Sequence, residues 1–373
     1  MGTMINERRI AIIGGGIAGL GTAWKLAQED WDVHLFERDQ IGSGASGRAA
    51  GMLAPTSEVS FEEIELLRLG QHSLRQYPRW IEELSDVTGA DLAYRDEGAL
   101  IVAVDRDDAE QLEQLFQYHQ RLELPAERLV GPQVHEREPA LSPNVHYALY
   151  IPGDHQLDPL AMVRALGEAF VTAGGHLYEQ TPVTEVLIDD NVEGIRLGDQ
   201  SVVEFSNVLV AAGAWSPKIK GIPDKTLPAI RPVRGQMLVV ELGDPPLIEH
   251  VVRAPDAYLV PKSDGRLFIG STMEERGFDA RLSAGGILDL LEGAREAVPG
   301  IYDAHILDSW TGFRPLTLAN QPVIGPTSID GLFLSVGHGR NGILLTPATA
   351  YGLCETMETG EVPAELRSFQ PTR

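Results

Sequence analysis

Six residues near the N-terminus, Gly14-Gly15-Gly16-Ile17-Ala18-Gly19, constrain this chain more than any other stretch. They follow a buried apolar run, Arg9–Ile13, and open a segment of helical character, Leu20–Gln28; Val33–Glu37 then reads as a second strand. Strand, glycine turn, helix and strand make a βαβ opening. In the G-x-G-x-x-G pattern Gly14 allows the tight turn, Gly16 lets the backbone approach a pyrophosphate, and Gly19 lets the helix pack closely on the strand. Ile17 and Ala18 lie in the same turn, where the helix start offers amides and the positive end of its dipole to that pyrophosphate. Glu37 closes the second strand at the offset, about 20 residues on, where a carboxylate accepts from ribose hydroxyls. A glycine turn with no ligand is the bland alternative, and Glu37 in register argues against it.

Glu37 repels a 2′-phosphate, although Arg38 beside it softens that argument. NAD and FAD both stay open on this motif. A second stretch of small residues, Gly42–Gly51, follows directly and contains Ser46, Ala49, Ala50 and Gly51. Free amides and small side chains suit a cofactor lying extended across the fold, and a surface turn would serve the same composition.

Composition excludes several classes. Asp and Glu number 54 against 30 Lys and Arg, a formal charge of −24. Such a chain repels phosphate backbones and anionic headgroups, so neither nucleic acid nor membrane is expected as a partner. Cys354 is the single cysteine, which rules out an internal disulfide or a cysteine-based metal cluster, and no metal ligands are assigned. No apolar run approaches the ~20 residues of a membrane span, and Ile10–Leu20 is short and glycine-broken, unlike a signal peptide. Met1-Gly2-Thr3 reads as an added leader, with Met4 as the native start. A reducing, cytoplasmic setting is expected.

The 373 residues favour two domains. Helical spacing appears over Glu62–Leu84, Asp107–Leu122, Pro159–Ala173, Gly285–Val298 and Gly342–Thr356. Continuous apolar strands are read at Val208–Ala212 and Leu332–Val336, short alternating ones at Val183–Ile188, Gly194–Leu197 and Val202–Phe205, and Gln236–Leu242, Ala257–Pro261 and Leu267–Ser271 read as a mostly antiparallel sheet. The fold class is therefore mixed α/β. A Rossmann-like nucleotide domain (1–86, 153–221, 313–373) is interleaved with an antiparallel-sheet, α+β substrate domain (87–152, 222–312).

Strings spread over the whole chain resemble the D-amino-acid-oxidase-like family of FAD oxidoreductases. Besides Gly14–Gly19 and Glu37 they are Ala49-Ala50-Gly51-Met52-Leu53, Val208–Ser216 with Ala212, Gly213 and Trp215, Tyr258-Leu259-Val260-Pro261, Gly312-Phe313-Arg314-Pro315, and Gly337-His338-Gly339-Arg340-Asn341-Gly342-Ile343. The glycine-oxidase branch, linked to thiamine biosynthesis, is the most similar. The resemblance implies that Arg314 holds a substrate carboxylate, which suits a planar guanidinium charged at any working pH; an internal ion pair is the alternative. It implies that the Tyr258 hydroxyl reaches the same carboxylate, with sheet packing as its alternative. It places Arg340 near the substrate amine and the flavin, Met52 and Met273 along the pocket, and Val183 at the adenine end. Each methionine serves equally as core filler, and Val183 equally as a plain strand residue. The glycines Gly337, Gly339 and Gly342 are expected to bring amides and a helix N-terminus to the flavin. Some glycine oxidases carry a histidine two residues before the tyrosine; here it is Asp256, so fine specificity does not carry over. The related sarcosine oxidases link flavin through a cysteine. Phe313-Arg314-Pro315-Leu316 has none, so non-covalent FAD is expected.

The implied reaction is oxidative deamination of glycine and small amines or D-amino acids, with hydride transfer from the α-carbon to flavin N5. Glycine, O2 and water give glyoxylate, ammonia and H2O2, and a thiazole-synthesis enzyme is the implied consumer. Members of this kind are often tetramers. A dehydrogenase passing electrons to a quinone or other acceptor, a sarcosine or N-methyl amino acid oxidase, a flavoprotein assembly subunit and an NAD-binding sensor are the competing readings.

Overall fold

The structure is a computed structural model, and it describes residues 8–58 and 63–371. The reading of Met4 as the native start lies outside them.

The continuous apolar runs pair with one another in the middle of a six-stranded sheet. Leu332–Val336, Val208–Val210, Arg9–Ile13, Asp32–Phe36 and His176–Tyr178 lie side by side in parallel, and Val323–Pro326 adds an antiparallel edge. Both faces of this sheet are covered, which is why its central strands are apolar without alternation. One face carries the helices Ile17–Gln28, Ile64–Thr88, Pro159–Thr172 and Thr346–Thr359, whose side chains form the largest core. Trp24 and Trp80 meet edge to face there, with ring centroids 4.9 Å apart. The other face packs on a three-stranded antiparallel sheet, Val183–Ile188, Val192–Leu197 and Val202–Glu204, around Phe36, Val186 and Phe205.

The second large sheet has eight strands, in the order Ile306–Thr317, Ile230–Glu241, Arg266–Gly270, Tyr258–Pro261, Val251–Arg253, Ala99–Ala103, Tyr147–Ile151 and Glu127–Val130. All its pairings are antiparallel except that between Val251–Arg253 and Ala99–Ala103. Its own core is closed by the helix Ala284–Ala297.

Three features depart from the sequence reading. Ile306–Thr317 is a twelve-residue strand, of which only Gly312–Pro315 stood out as a motif. Its Gly and Pro hide the alternation, and it is tolerated as the edge of the sheet. Tyr147–Ile151 and Glu127–Val130 were not expected as strands. The last helix begins at Thr346 instead of Gly342, because Gly339–Asn341 make a single 3-10 turn ahead of it.

Candidate active site

A cleft of about 700 Å³ runs from the glycine turn of the six-stranded sheet to the near strands of the eight-stranded one. The glycine turn builds its first wall. Gly14 has φ +118°, and a Cβ there would lie 2.5 Å from the Ala211 carbonyl oxygen. A Cβ on Gly19 would lie 2.1 Å from the Gly14 carbonyl oxygen, so only glycine lets the helix sit this close. Gly16 is the N-cap of that helix and offers no side chain to its free amides. The Ile17 amide donates to Ser46 Oγ at 2.9 Å, which brings the second glycine-rich loop over the helix start.

Glu37 is fixed by its neighbours. Its two carboxylate oxygens accept from the Gly15 amide at 2.7 Å and the Asp39 amide at 2.9 Å. Each oxygen keeps a lone pair for a ribose hydroxyl. The Arg38 guanidinium lies 3.9 Å above the Trp215 ring, and both residues line the cleft.

These residues fit a dinucleotide: a glycine turn, a helix start whose N-cap is a glycine, a held carboxylate and a long cleft beyond them. Ala18, Ala49, Ala50, Gly51, Met52, Val183, Ala212, Gly213, His338, Gly339, Gly342 and Ile343 continue the same wall. Gly19, Gly337 and Asn341 are not among the residues that line it. Gly337 has φ +75°, with Thr317 pressed against it. The loop Ala50–Met52 is anchored from behind by Lys262, whose Nζ donates to the carbonyls of Ala50 at 2.6 Å and Leu157 at 2.8 Å. Burial pulls the Lys262 ammonium down to about 7. Burial also pulls the His338 imidazole down to about 4, so it is neutral where it borders the cleft.

The far end is built by four neighbouring strands. Arg314 faces the cleft from the edge strand, and its guanidinium donates to the Thr272 carbonyl at 3.2 Å and to Ser271 Oγ. It has no carboxylate partner among the described residues. Thr272 Oγ1 in turn donates to Glu274 at 2.7 Å. Glu274 is occupied by the buried Arg234 and by Gln236, so its charge is spent away from Arg314. Burial pushes the Glu274 carboxyl up, but the hydrogen bonds from Arg234, Gln236 and Thr272 outweigh it and hold it down to about 2. Tyr258 lines the same cleft, its hydroxyl 3.3 Å from Met237 Sδ.

Not every sequence candidate sits alike. Arg340 borders the cleft, but its guanidinium donates to Glu63 at 2.6 Å and to the Glu58 carbonyl at 2.9 Å, so its charge is compensated. Met52 is half-buried in the wall, whereas Met273 is 69% exposed at the mouth. Asp256 also lines the mouth and is exposed. The sequence reading missed Gly235, Met237, Gly270 and Ser271. Gly235 and Met237 share one strand face by their i, i+2 spacing, a signal masked by the apolar residues around them.

A cleft with room for an extended dinucleotide at one end and an arginine without a carboxylate partner among the described residues at the other fits a redox enzyme that uses a bound nucleotide cofactor. Residues 9–356 match the family described as FAD dependent oxidoreductase (DAO), and the chain belongs to that family. It is thus an FAD-dependent oxidoreductase. It is 35% identical over 373 residues to the glycine oxidase of Geobacillus kaustophilus, covering 99% of this chain and 98% of that protein. It is 31% identical to the bifunctional protein ThiO/ThiG of Synechocystis sp., covering 98% of this chain and 54% of that protein. The crystal structure of the glycine oxidase from Geobacillus kaustophilus superposes with a TM-score of 0.91 at 34% identity, over 98% of this chain and 99% of that one.

Proposed function

We propose that this enzyme oxidatively deaminates glycine and other small amino acids: glycine, O2 and water give glyoxylate, ammonia and H2O2. The observation that carries the reading is the Arg314 guanidinium, half-buried at the end of the cleft with no carboxylate partner among the described residues. A cation held in this way is completed by the substrate carboxylate, which a planar guanidinium grips through two hydrogen bonds. Tyr258 adds a hydroxyl donor on the same side. FAD, when bound, supplies the two-electron acceptor for the α-carbon and returns the electrons to dioxygen.

The chain's own groups do the rest. Arg314 and Tyr258 fix the carboxylate, so the α-carbon sits over the wall formed by Ala50–Met52 and Gly339. The substrate amine must lose its proton so that its lone pair can assist oxidation, and the neutral His338 lines the cleft without adding a charge. Positioning and a prearranged electrostatic environment carry the rate. Arg340, paired with Glu63, acts at the rim. The identity to a glycine oxidase over the full length supports glycine over the dehydrogenase and sarcosine-oxidase readings.

The cofactor is proposed to be non-covalent, since the lone cysteine lies in the last helix, outside the cleft. The domain division proposed from sequence (1–86, 153–221 and 313–373 against 87–152 and 222–312) draws support from the six-stranded sheet, whose strands all fall in the first set. The edge strand Ile306–Thr317 crosses that boundary. A thiazole-synthesis enzyme is proposed as consumer of the product, supported by the ThiO/ThiG relatives that join both activities in one chain. No helix among the described residues is long and apolar enough to cross a membrane, and a cytoplasmic location is proposed.

The test is a product balance. Purified enzyme given glycine in air should release glyoxylate, ammonia and peroxide in equal amounts. Glyoxylate formed only with an added quinone would replace the oxidase by a dehydrogenase.

A further inference from the structure

Away from the cleft, the Asp32–Phe36 strand and the edge strand His176–Tyr178 bring three metal-ligating side chains together. Asp32 and His34 are two residues apart and so share one face of the sheet. His176 lies directly beside His34 in the parallel register, and the two imidazoles stack with centroids 4.6 Å apart. One coordinating atom from each of the three residues falls within 4.8 Å of the others. None of the three lines the cleft.

The orientation of each group is already set. His34 Nδ1 sits 3.2 Å from the Tyr178 hydroxyl, which turns Nε2 toward Asp32. That Nε2 is buried and lies 2.9 Å from Asp32 Oδ1, its one close polar neighbour among the described residues. His176 Nε2 approaches the same oxygen to 3.5 Å. Asp32 Oδ2 is held by Arg9 Nε at 3.1 Å, and Arg9 is itself held over the Phe205 ring at 4.5 Å. Oδ1 is therefore the oxygen presented to the two imidazoles. Bonds of about 2.0–2.2 Å in tetrahedral geometry separate neighbouring ligand atoms by roughly 3.3 Å. The separations of 2.9 and 3.5 Å bracket that value.

We propose that Asp32, His34 and His176 form a binding site for a divalent cation of the zinc class, separate from the catalytic cleft. Two imidazoles and one carboxylate suit zinc, cobalt or nickel, whereas calcium and magnesium want oxygen cages. The hydroxyl of Tyr178 orients its histidine as an outer partner of a ligand should. His176 is more than half exposed, with 54% of its side chain accessible, so an ion can enter from solvent and complete its coordination with water. Bound there, it clips the edge strand to the Asp32–Phe36 strand that leads to Glu37.

The experiment is calorimetric titration of chelator-treated, tag-free holoenzyme with zinc chloride, repeated with cobalt and with magnesium. One equivalent of zinc and of cobalt should bind, with little uptake of magnesium. His176→Gln, on the exposed edge, should weaken zinc binding at least tenfold while flavin content and glycine turnover stay unchanged; Asp32→Asn should do the same. Absence of zinc uptake by the wild type, unchanged affinity in both variants, or equal binding of magnesium would each overturn the proposal.

Discussion

A Cβ on Gly235 would lie 2.3 Å from Arg314 Nη1, so the arginine occupies space that any other residue at 235 would fill. Gly235 pairs with Gly312 on the edge strand, two residues before Arg314, and together they let the guanidinium lie across the neighbouring strand. Gly235→Ala should displace Arg314 and raise the glycine KM roughly tenfold or more, about 1.4 kcal/mol. Flavin content should not change. Steady-state kinetics with an absorbance check of bound FAD reads both, and an unaltered KM would remove Gly235 from the account.

Arg314→Ala removes both hydrogen bonds and the charge. The expected loss in kcat/KM is about 3 kcal/mol, roughly a hundredfold, seen mainly in KM. Arg314→Lys should recover only part of it, because an ammonium cannot form the planar pair. A glycine KM within twofold of wild type in the alanine variant would refute the carboxylate role.

Glu37→Ala should weaken FAD binding by roughly tenfold or more, from the loss of charge-assisted hydrogen bonds worth about 1.5–3 kcal/mol. The cost appears as flavin lost on dilution, measured by fluorescence. Gly14→Ala should be worse, because it adds a clash with the Ala211 carbonyl to a strained φ of +118°.

Glu274 gives a pH signature. Its folded-state pKa, about 2, is below its ordinary 4.5, so it contributes stability that is fully present above about pH 4.5 and lost as pH falls toward 2. Glu274→Gln should therefore be less stable than wild type at neutral pH, by about 1–2 kcal/mol after solvent screening. The difference should shrink steadily below pH 4.5. Denaturant melts at a series of pH values would show a pH-independent gap if Glu274 were not paired with Arg234.

Non-covalent FAD predicts that acid precipitation leaves all the yellow colour in the supernatant. Flavin retained on the precipitate would contradict it.

How far the sequence speaks depends on the range of the interaction. The Gly14–Gly19 turn, Glu37 and the Ser46–Met52 loop were legible because the physics is local: a tight turn, a helix start and a strand end within one βαβ unit. The full-chain resemblance supplied Arg314 and Tyr258. The space each needs could not be read, because it comes from strand pairing. Gly235 clears Arg314 from one strand away, and Gly270 clears the Tyr258 ring from another. The compensation of Arg340 by Glu63, 277 residues earlier, was likewise invisible until the fold joined them. The Asp32, His34 and His176 cluster arises in the same way, from two strands far apart in the chain.

The most direct test of the central claim is an anaerobic titration of the yellow holoenzyme with glycine, followed by admission of air, in wild type and in Arg314→Ala. The account predicts that glycine bleaches the wild-type flavin, that air restores the colour with release of peroxide, and that the variant needs far more glycine for the same bleaching. Flavin that glycine leaves oxidised, or that stays bleached in air, would contradict it.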